Sequence, residues 1–150
     1  AQFIAQTLAA DPASPSQHPG VEEVLAGRGL ANLHAFAAYV AGHPSSLTSA
    51  EVLAALDAGD ATAAHAARLY VHILGQMLAD LALIHLPYGG IYLIGGMSRA
   101  MTPHFARFGL EAAFREDRRV DLLRTDFAIT VVEDDYAALT GCAVYLNNAR

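Results

Sequence analysis

One long amphipathic stretch dominates the hydrophobic pattern. Leu69, Tyr70, Ile73, Leu74, Met77, Leu78, Leu81 and Ile84 recur at intervals of three and four, the spacing that puts side chains on one face of an α-helix. Asp60 stands ahead as a cap and Pro87-Tyr88 closes the stretch, giving a helix of about six turns. Its wide apolar face makes it the core helix. Shorter helical patterns precede it. Phe3, Ile4 and Leu8 mark one that Asp11-Pro12 ends, and a Pro/Ser-rich loop runs on to Gly20. Val21 to Leu25 begins a short helix with Val21, Val24 and Leu25 on its apolar side. Ala26-Gly27-Arg28-Gly29 reads as a turn, and Leu30 to Val40 as a helix with Leu33, Phe36, Ala37 and Val40 inward. After a loop to Thr48, a helix that Ser49 or Thr48 can cap carries Val52, Leu53 and Leu56 and stops near Gly59.

Beyond Pro87 the period changes. Ile91-Tyr92-Leu93-Ile94 is a strand-forming run between two glycine pairs, Gly89-Gly90 and Gly95-Gly96, and reads as a buried strand. Thr102-Pro103 suits the start of a helix anchored by Phe105, Phe108, Ala112 and Phe114, with a bend at Gly109. Val120 to Arg124 is a short helical piece, and Phe127 to Val132 a second strand. Glu133-Asp134-Asp135 then opens a last helix, Tyr136 to Leu146. Its small side, Ala137, Ala138, Gly141, Cys142 and Ala143, suits close passage over another backbone. The pattern describes an α-rich α/β chain of about seven helices and at least two strands. Two strands seldom make a stable sheet alone. The sheet is therefore expected to need strands this chain lacks, and self-association, a homodimer for instance, would be one source.

Composition narrows the classes. With 54% hydrophobic and 16% charged residues the 150-residue chain is globular. A net charge of −6, with Arg118-Arg119 preceded by Glu116-Asp117, argues against a nucleic-acid partner, which requires a basic face. A lone cysteine, Cys142, excludes an intrachain disulfide and a multi-cysteine zinc site and suits a reducing cytoplasm. No apolar run reaches the ~18–20 residues of a membrane span, so no membrane partner is expected, and no basic signal region opens the chain. The sequence begins inside a helical pattern without Met, which suggests a trimmed product or a piece of a longer protein.

The candidate chemistry is sparse. The seven histidines (His18, His34, His43, His65, His72, His85 and His104) lack the spacing of a helical zinc site, and structural or surface roles account for them. With no lysine the chain has no Gly-x-x-x-x-Gly-Lys phosphate loop, and it has no Gly-x-Ser-x-Gly elbow. Cys142, among alanines, reads as a small hydrophobe. Glu22 and Glu23 fit a solvated helix start as well as a site. Gly95-Gly96-Met97-Ser98 is the one stretch where a ligand could approach bare backbone at a strand's carboxyl end. Two tight turns around a core strand explain the same glycines.

Four segments in register resemble bacterial glucokinases. Val21-Glu22-Glu23-Val24-Leu25-Ala26-Gly27-Arg28-Gly29-Leu30-Ala31-Asn32-Leu33 resembles their E-x-V-L-S-G-x-G-L-x-N-L-Y block. Gly89 to Gly96 resembles their adenosine motif G-G-V-x-I-x-G-G, Phe108 to Phe114 the segment that follows, and Asp134 to Leu146 the block D-x-x-G-L-x-G-A-A-x-x-L. The resemblance implies the actin-like (ribonuclease-H-like) sugar-kinase fold, in which ATP and hexose meet in a cleft between two α/β domains. Residues 1–150 would be the C-terminal, mostly large-domain part, with the last helix, about 135–147, docked toward an absent small domain.

By the same resemblance Glu22 binds sugar hydroxyls, a role suited to an ionised double acceptor. Gly95, Gly96, Met97 and Ser98 seat adenosine, and Gly27 and Gly29 form a turn on the nucleotide side. Glucose, ATP and Mg²⁺ are the implied ligands, and the implied reaction is phosphorylation of glucose in glycolysis. Arg28 stands where the family often has proline, Tyr136-Ala137 where it often has Pro-Gly, and Thr140 precedes Gly141. The family's D-x-G-G-T loop, its N-D pair with the catalytic aspartate, its G-T-G-L-G loop and its E-G-G-H motif do not occur. No catalytic residue is therefore assigned, and the chain alone is expected to be inactive. A truncated, non-catalytic nucleotide- or sugar-binding or assembly module is the alternative.

Overall fold

The computed structural model describes residues 2–10, 20–116, 127–134 and 136–149. The expected helical piece at Val120–Arg124, the Arg118-Arg119 pair and most of the Pro/Ser-rich loop lie outside them. The described residues form eight helices and two strands: α1 (Gln2–Ala10), α2 (Glu22–Leu25), α3 (Gly27–Val40), α4 (Ser49–Asp57), α5 (Ala61–His85), β1 (Ile91–Ile94), α6 (Gly96–Phe108), α7 (Leu110–Phe114), β2 (Ile129–Val132) and α8 (Ala137–Asn148).

The central helix is α5, capped by the Asp60 carboxylate, which accepts the Ala63 N–H at 2.7 Å. It packs on α3 on one side and α7 on another, with α4 and α6 completing its surround. Its buried face differs from the large-residue stripe. Ala63, Ala66, Ala67, Tyr70, Val71, Leu74, Gly75, Leu78, Ala79 and Ala82 are buried, whereas Leu81 is exposed and Ile84 is 71% exposed. Neighbouring helices approach over alanine and glycine, because small side chains permit close axes. At Gly75 an added Cβ would lie 2.6 Å from the Ala113 Cβ of α7. By length and composition α5 also qualifies as a membrane span, which corrects the expectation that no apolar stretch was long enough. Core helices of soluble proteins pass the same test, and here the alanine face is covered by α3 and α7.

Leu86, in the left-handed region at φ 48°, ends α5 and turns the chain into β1. From there β1, α6, α7 and β2 make a strand–helix–strand unit. The strands pair in parallel, Ile91 opposite Ile129 and Ile94 opposite Val132, as a crossover connection allows. Leu93, Met101, Phe105, Phe114 and Phe127 join the main core.

Several expectations change. Of β1 only Leu93 is buried; Tyr92 is 61% and Ile94 54% exposed, so the strand is covered on one face rather than both. Among the described residues the sheet stops at two strands. Helix α6 begins at Gly96, so Pro103 lies inside it and Thr102 is no cap; the Thr102 hydroxyl instead donates to the Ser98 carbonyl at 2.9 Å. Gly27, Arg28 and Gly29 form the first turn of α3 rather than a separate turn. Helix α8 has no buried residue, and Tyr136, Leu139, Val144, Tyr145 and Leu146 are exposed along it. Its small side is thus buried against no helix among the described residues, and Cys142 is exposed rather than packed.

Candidate functional site

The seven candidate residues fall into two groups, joined through α5, which touches both α2 and α6. The first lies where β1 runs into α6. Gly95, at φ 120° and ψ 165°, is the N-cap of α6 and offers no side-chain cap. That backbone conformation favours glycine. An added Cβ at Gly95 would meet nothing within 4 Å, and one at Gly96 only the Arg99 Nη2 at 4.0 Å. The first bond of the helix joins the Arg99 N–H to the Gly95 carbonyl at 3.2 Å, so the N–H groups of Gly96, Met97 and Ser98 have no partner within the helix. Bare backbone, open space and the positive end of a helix dipole coincide there. Met97 and Ser98 are half-buried, Met97 packing against the core.

The second group is organised by α2 and the first turn of α3. Glu22, with its side chain 73% exposed, faces solvent. Glu23 is its opposite, 7% exposed, although the helical pattern put Val21 inward and both glutamates outward; Val21 is exposed. Burial of Glu23 is compensated. Its Oε2 accepts the Gly20 N–H at 2.8 Å, and the Arg28 guanidinium stands 3.2 Å from its Oε1. The Gly20 hydrogen bond, helped by Arg28 and opposed by desolvation, holds its carboxyl below the usual glutamate range. Arg28 also donates to the Glu22 Oε2.

Two more bonds fix α2: Asn32 Nδ2 donates to the Glu23 carbonyl at 3.0 Å, and the Tyr70 hydroxyl to the Leu25 carbonyl at 3.1 Å. Burial raises the Tyr70 phenol to about 12. Gly29 is buried, and a Cβ on it would lie 2.2 Å from the Val24 carbonyl carbon. It lets α2 sit on α3 and lines no open surface. Gly27 faces Ser49, whose Oγ would be 3.5 Å from an added Cβ. Sequence reasoning missed Glu23 and Arg28 as partners; the available signal was an arginine five and six residues beyond two adjacent glutamates.

No group of three metal-ligating side chains occurs among the described residues. His104 is buried beside Asp57 at 3.4 Å, a packing contact between α6 and α4. An apolar groove of about 500 Å³ runs along α6, α7 and β2, lined by residues such as Phe105, Leu110 and Phe127. It contains none of the seven candidates.

A strand delivering its carboxyl end to a glycine pair and an uncapped helix start, inside a strand–helix–strand unit, is the α/β arrangement that receives ligands beyond its strand ends. Comparison with known proteins makes that class specific. The glucokinase family model matches residues 4–149. The glucokinase of Mesorhizobium japonicum is 34% identical over 129 residues, 85% of this chain and 38% of that protein. That of Rhizobium meliloti is 30% identical over 131 residues, 86% and 39% respectively. A crystal structure of glucokinase from an Antarctic psychrotroph superposes with a TM-score of 0.81 at 23% identity, covering 98% of this chain and 45% of that one. That likeness shows a shared sugar-kinase fold. The chain belongs to the glucokinase family. It spans less than two fifths of the length of these two relatives.

Proposed function

We propose that this chain is the C-terminal, mostly large-domain part of an ATP-dependent glucokinase that phosphorylates the 6-hydroxyl of glucose in glycolysis. The observation that carries the proposal is the junction at Gly95–Gly96, where the glucokinase resemblance puts adenosine and the backbone is uncovered. An added Cβ at Gly95 meets nothing within 4 Å, and the N–H groups of Gly96, Met97 and Ser98, which have no partner within the helix, would be the donors for the nucleotide. By the same resemblance Gly27 belongs to the nucleotide side. Gly29 contributes by seating α2. Mg²⁺ would reach the reaction with the ATP phosphates and neutralise charge developing on them.

Glu22 presents an exposed carboxylate to the sugar and orients it by accepting hydroxyl protons. In the transfer, the 6-hydroxyl oxygen bonds to the γ-phosphorus as the bond to ADP breaks. The hydroxyl proton passes to a base that the resemblance puts in the family's N-D pair, outside this sequence. Helix α8, bare on every side, docks against the remainder of the enzyme. A cytoplasmic location and a homodimeric assembly complete the proposal.

Steady-state kinetics of the complete enzyme provide the test. Glu22→Gln should raise the glucose KM while moving the ATP KM little, and an unchanged glucose KM would remove Glu22 from the sugar site. The 150-residue chain alone should show no ATP-dependent glucose phosphorylation. Measurable turnover would mean that the chain carries its own base and would refute this division of labour.

A further inference from the structure

Arg28 occupies a position where the resembling family often has proline, and it does more there than fill the first turn of α3. Its guanidinium bridges two carboxylates of unlike surroundings. Glu23 is buried, and each of its oxygens has a partner, Oε2 the Gly20 N–H at 2.8 Å and Oε1 the Arg28 guanidinium at 3.2 Å. Glu22 is exposed, and among the described residues Arg28 alone engages it, at Oε2. A carboxylate has about four acceptor positions, so Oε1 and a lone pair of Oε2 remain for hydroxyl donors. A long exposed glutamate otherwise samples several rotamers, and fixing it costs binding free energy whenever a ligand requires one geometry.

We propose that Arg28 is a positioning residue for sugar: anchored on buried Glu23, it holds the exposed Glu22 carboxylate at the place where two adjacent hydroxyls of a hexose are accepted. The inference rests on the proposed sugar role of Glu22. The anchor is independent of ligand. It is built from the Gly20 backbone, the α2 helix and the α3 first turn, which Asn32 and Tyr70 lock together through the carbonyls of Glu23 and Leu25.

The structure supplies an unusually clean variant. The Arg28 N–H belongs to the first turn of α3, where the earliest helical bond runs from the Leu30 N–H to the Ala26 carbonyl. Arg28→Pro therefore removes the guanidinium without breaking a helix bond, and Gly27 ahead of it has no Cβ to clash with the ring. In the complete enzyme, Arg28→Pro and Arg28→Ala should each raise the glucose KM roughly tenfold, the scale of one charge-assisted hydrogen bond. The ATP KM and kcat should stay within about twofold. Arg28→Lys, which keeps a cation but loses the fork, should recover part of the loss.

Because Arg28 acts through Glu22, the double variant Arg28→Ala/Glu22→Gln should bind glucose no worse than Glu22→Gln alone. A normal glucose KM in both Arg28→Pro and Arg28→Ala, beside a raised one in Glu22→Gln, would overturn the role of Arg28 and leave that of Glu22 standing. A double variant much worse than Glu22→Gln would also overturn it. An unchanged KM in Glu22→Gln would remove both.

Discussion

Gly27 and Gly29 sit two residues apart in the same helical turn, yet replacing each by alanine should move stability in opposite directions. Alanine in a helix is favoured over glycine by roughly 0.5–1 kcal/mol, less at the first position. At Gly27 nothing opposes that gain, since the new methyl meets the Ser49 Oγ at 3.5 Å, an ordinary contact. At Gly29 the methyl would lie 2.2, 2.4 and 2.7 Å from the Val24 carbonyl carbon, its oxygen and its Cα. Comfortable separations are ~3.5–4.0 Å, so α2 would have to retreat by more than ~1 Å. The obstacle is backbone and has no rotamer to escape into. Its retreat would also stretch the bonds that Asn32 and Tyr70 make to it. Overpacking of this kind costs roughly 1–3 kcal/mol, and the upper end applies because two hydrogen bonds are strained as well. Gly29→Ala should therefore be less stable by about 2 kcal/mol after the propensity gain, and Gly27→Ala unchanged or more stable by a few tenths. Urea unfolding followed by circular dichroism, compared at equal m-values, measures both. Equal midpoints for the two variants would refute the claim that Gly29 is required by the α2–α3 contact.

Two further outcomes follow from the same geometry. Gly96→Val should fold normally, because its side chain enters open space, and should weaken ATP binding by calorimetry while sparing glucose; normal ATP affinity would dispose of the adenosine assignment. Tyr70 tests pH linkage. Its phenol titrates at about 12 in the fold against about 10 when unfolded, so the stability it contributes is whole below pH ~10 and is lost as pH climbs toward 12. The two-unit gap corresponds to something on the order of 2–3 kcal/mol. Tyr70→Phe should cost about 1 kcal/mol at neutral pH through the lost bond to Leu25 and should flatten the alkaline decline. Parallel pH profiles for the two proteins would contradict this.

What was legible in the sequence depended on whether local rules and tertiary packing agreed. The cap at Asp60, which bonds the Ala63 amide, was plain in the sequence, and of Ser49 and Thr48 the structure selects Thr48, in a reciprocal capping box with Glu51, because a cap is satisfied within four residues. The two strands were visible for a similar reason, as short β-forming runs between glycines or acids. The buried face of α5 was not. Large residues at three-and-four spacing pointed to Leu81 and Ile84, whereas the fold buries Ala63, Ala67 and Gly75, since helix packing selects closeness as well as hydrophobicity.

The sugar-side geometry was hidden for a different reason. Adjacent glutamates in one helical turn look equivalent, yet Glu23 is buried by a backbone donor from Gly20 and a cation from Arg28, and Glu22 is left outside. The packing of α2 on its neighbours separates them, and its contact with α3 depends on Gly29 lacking a side chain. The exposed faces of β1 and α8 extend the point. Tyr92 and Ile94 on β1 and Leu139, Val144 and Leu146 on α8 are open to solvent. Which face of an element is covered is decided by its tertiary neighbours, and periodicity alone does not report them.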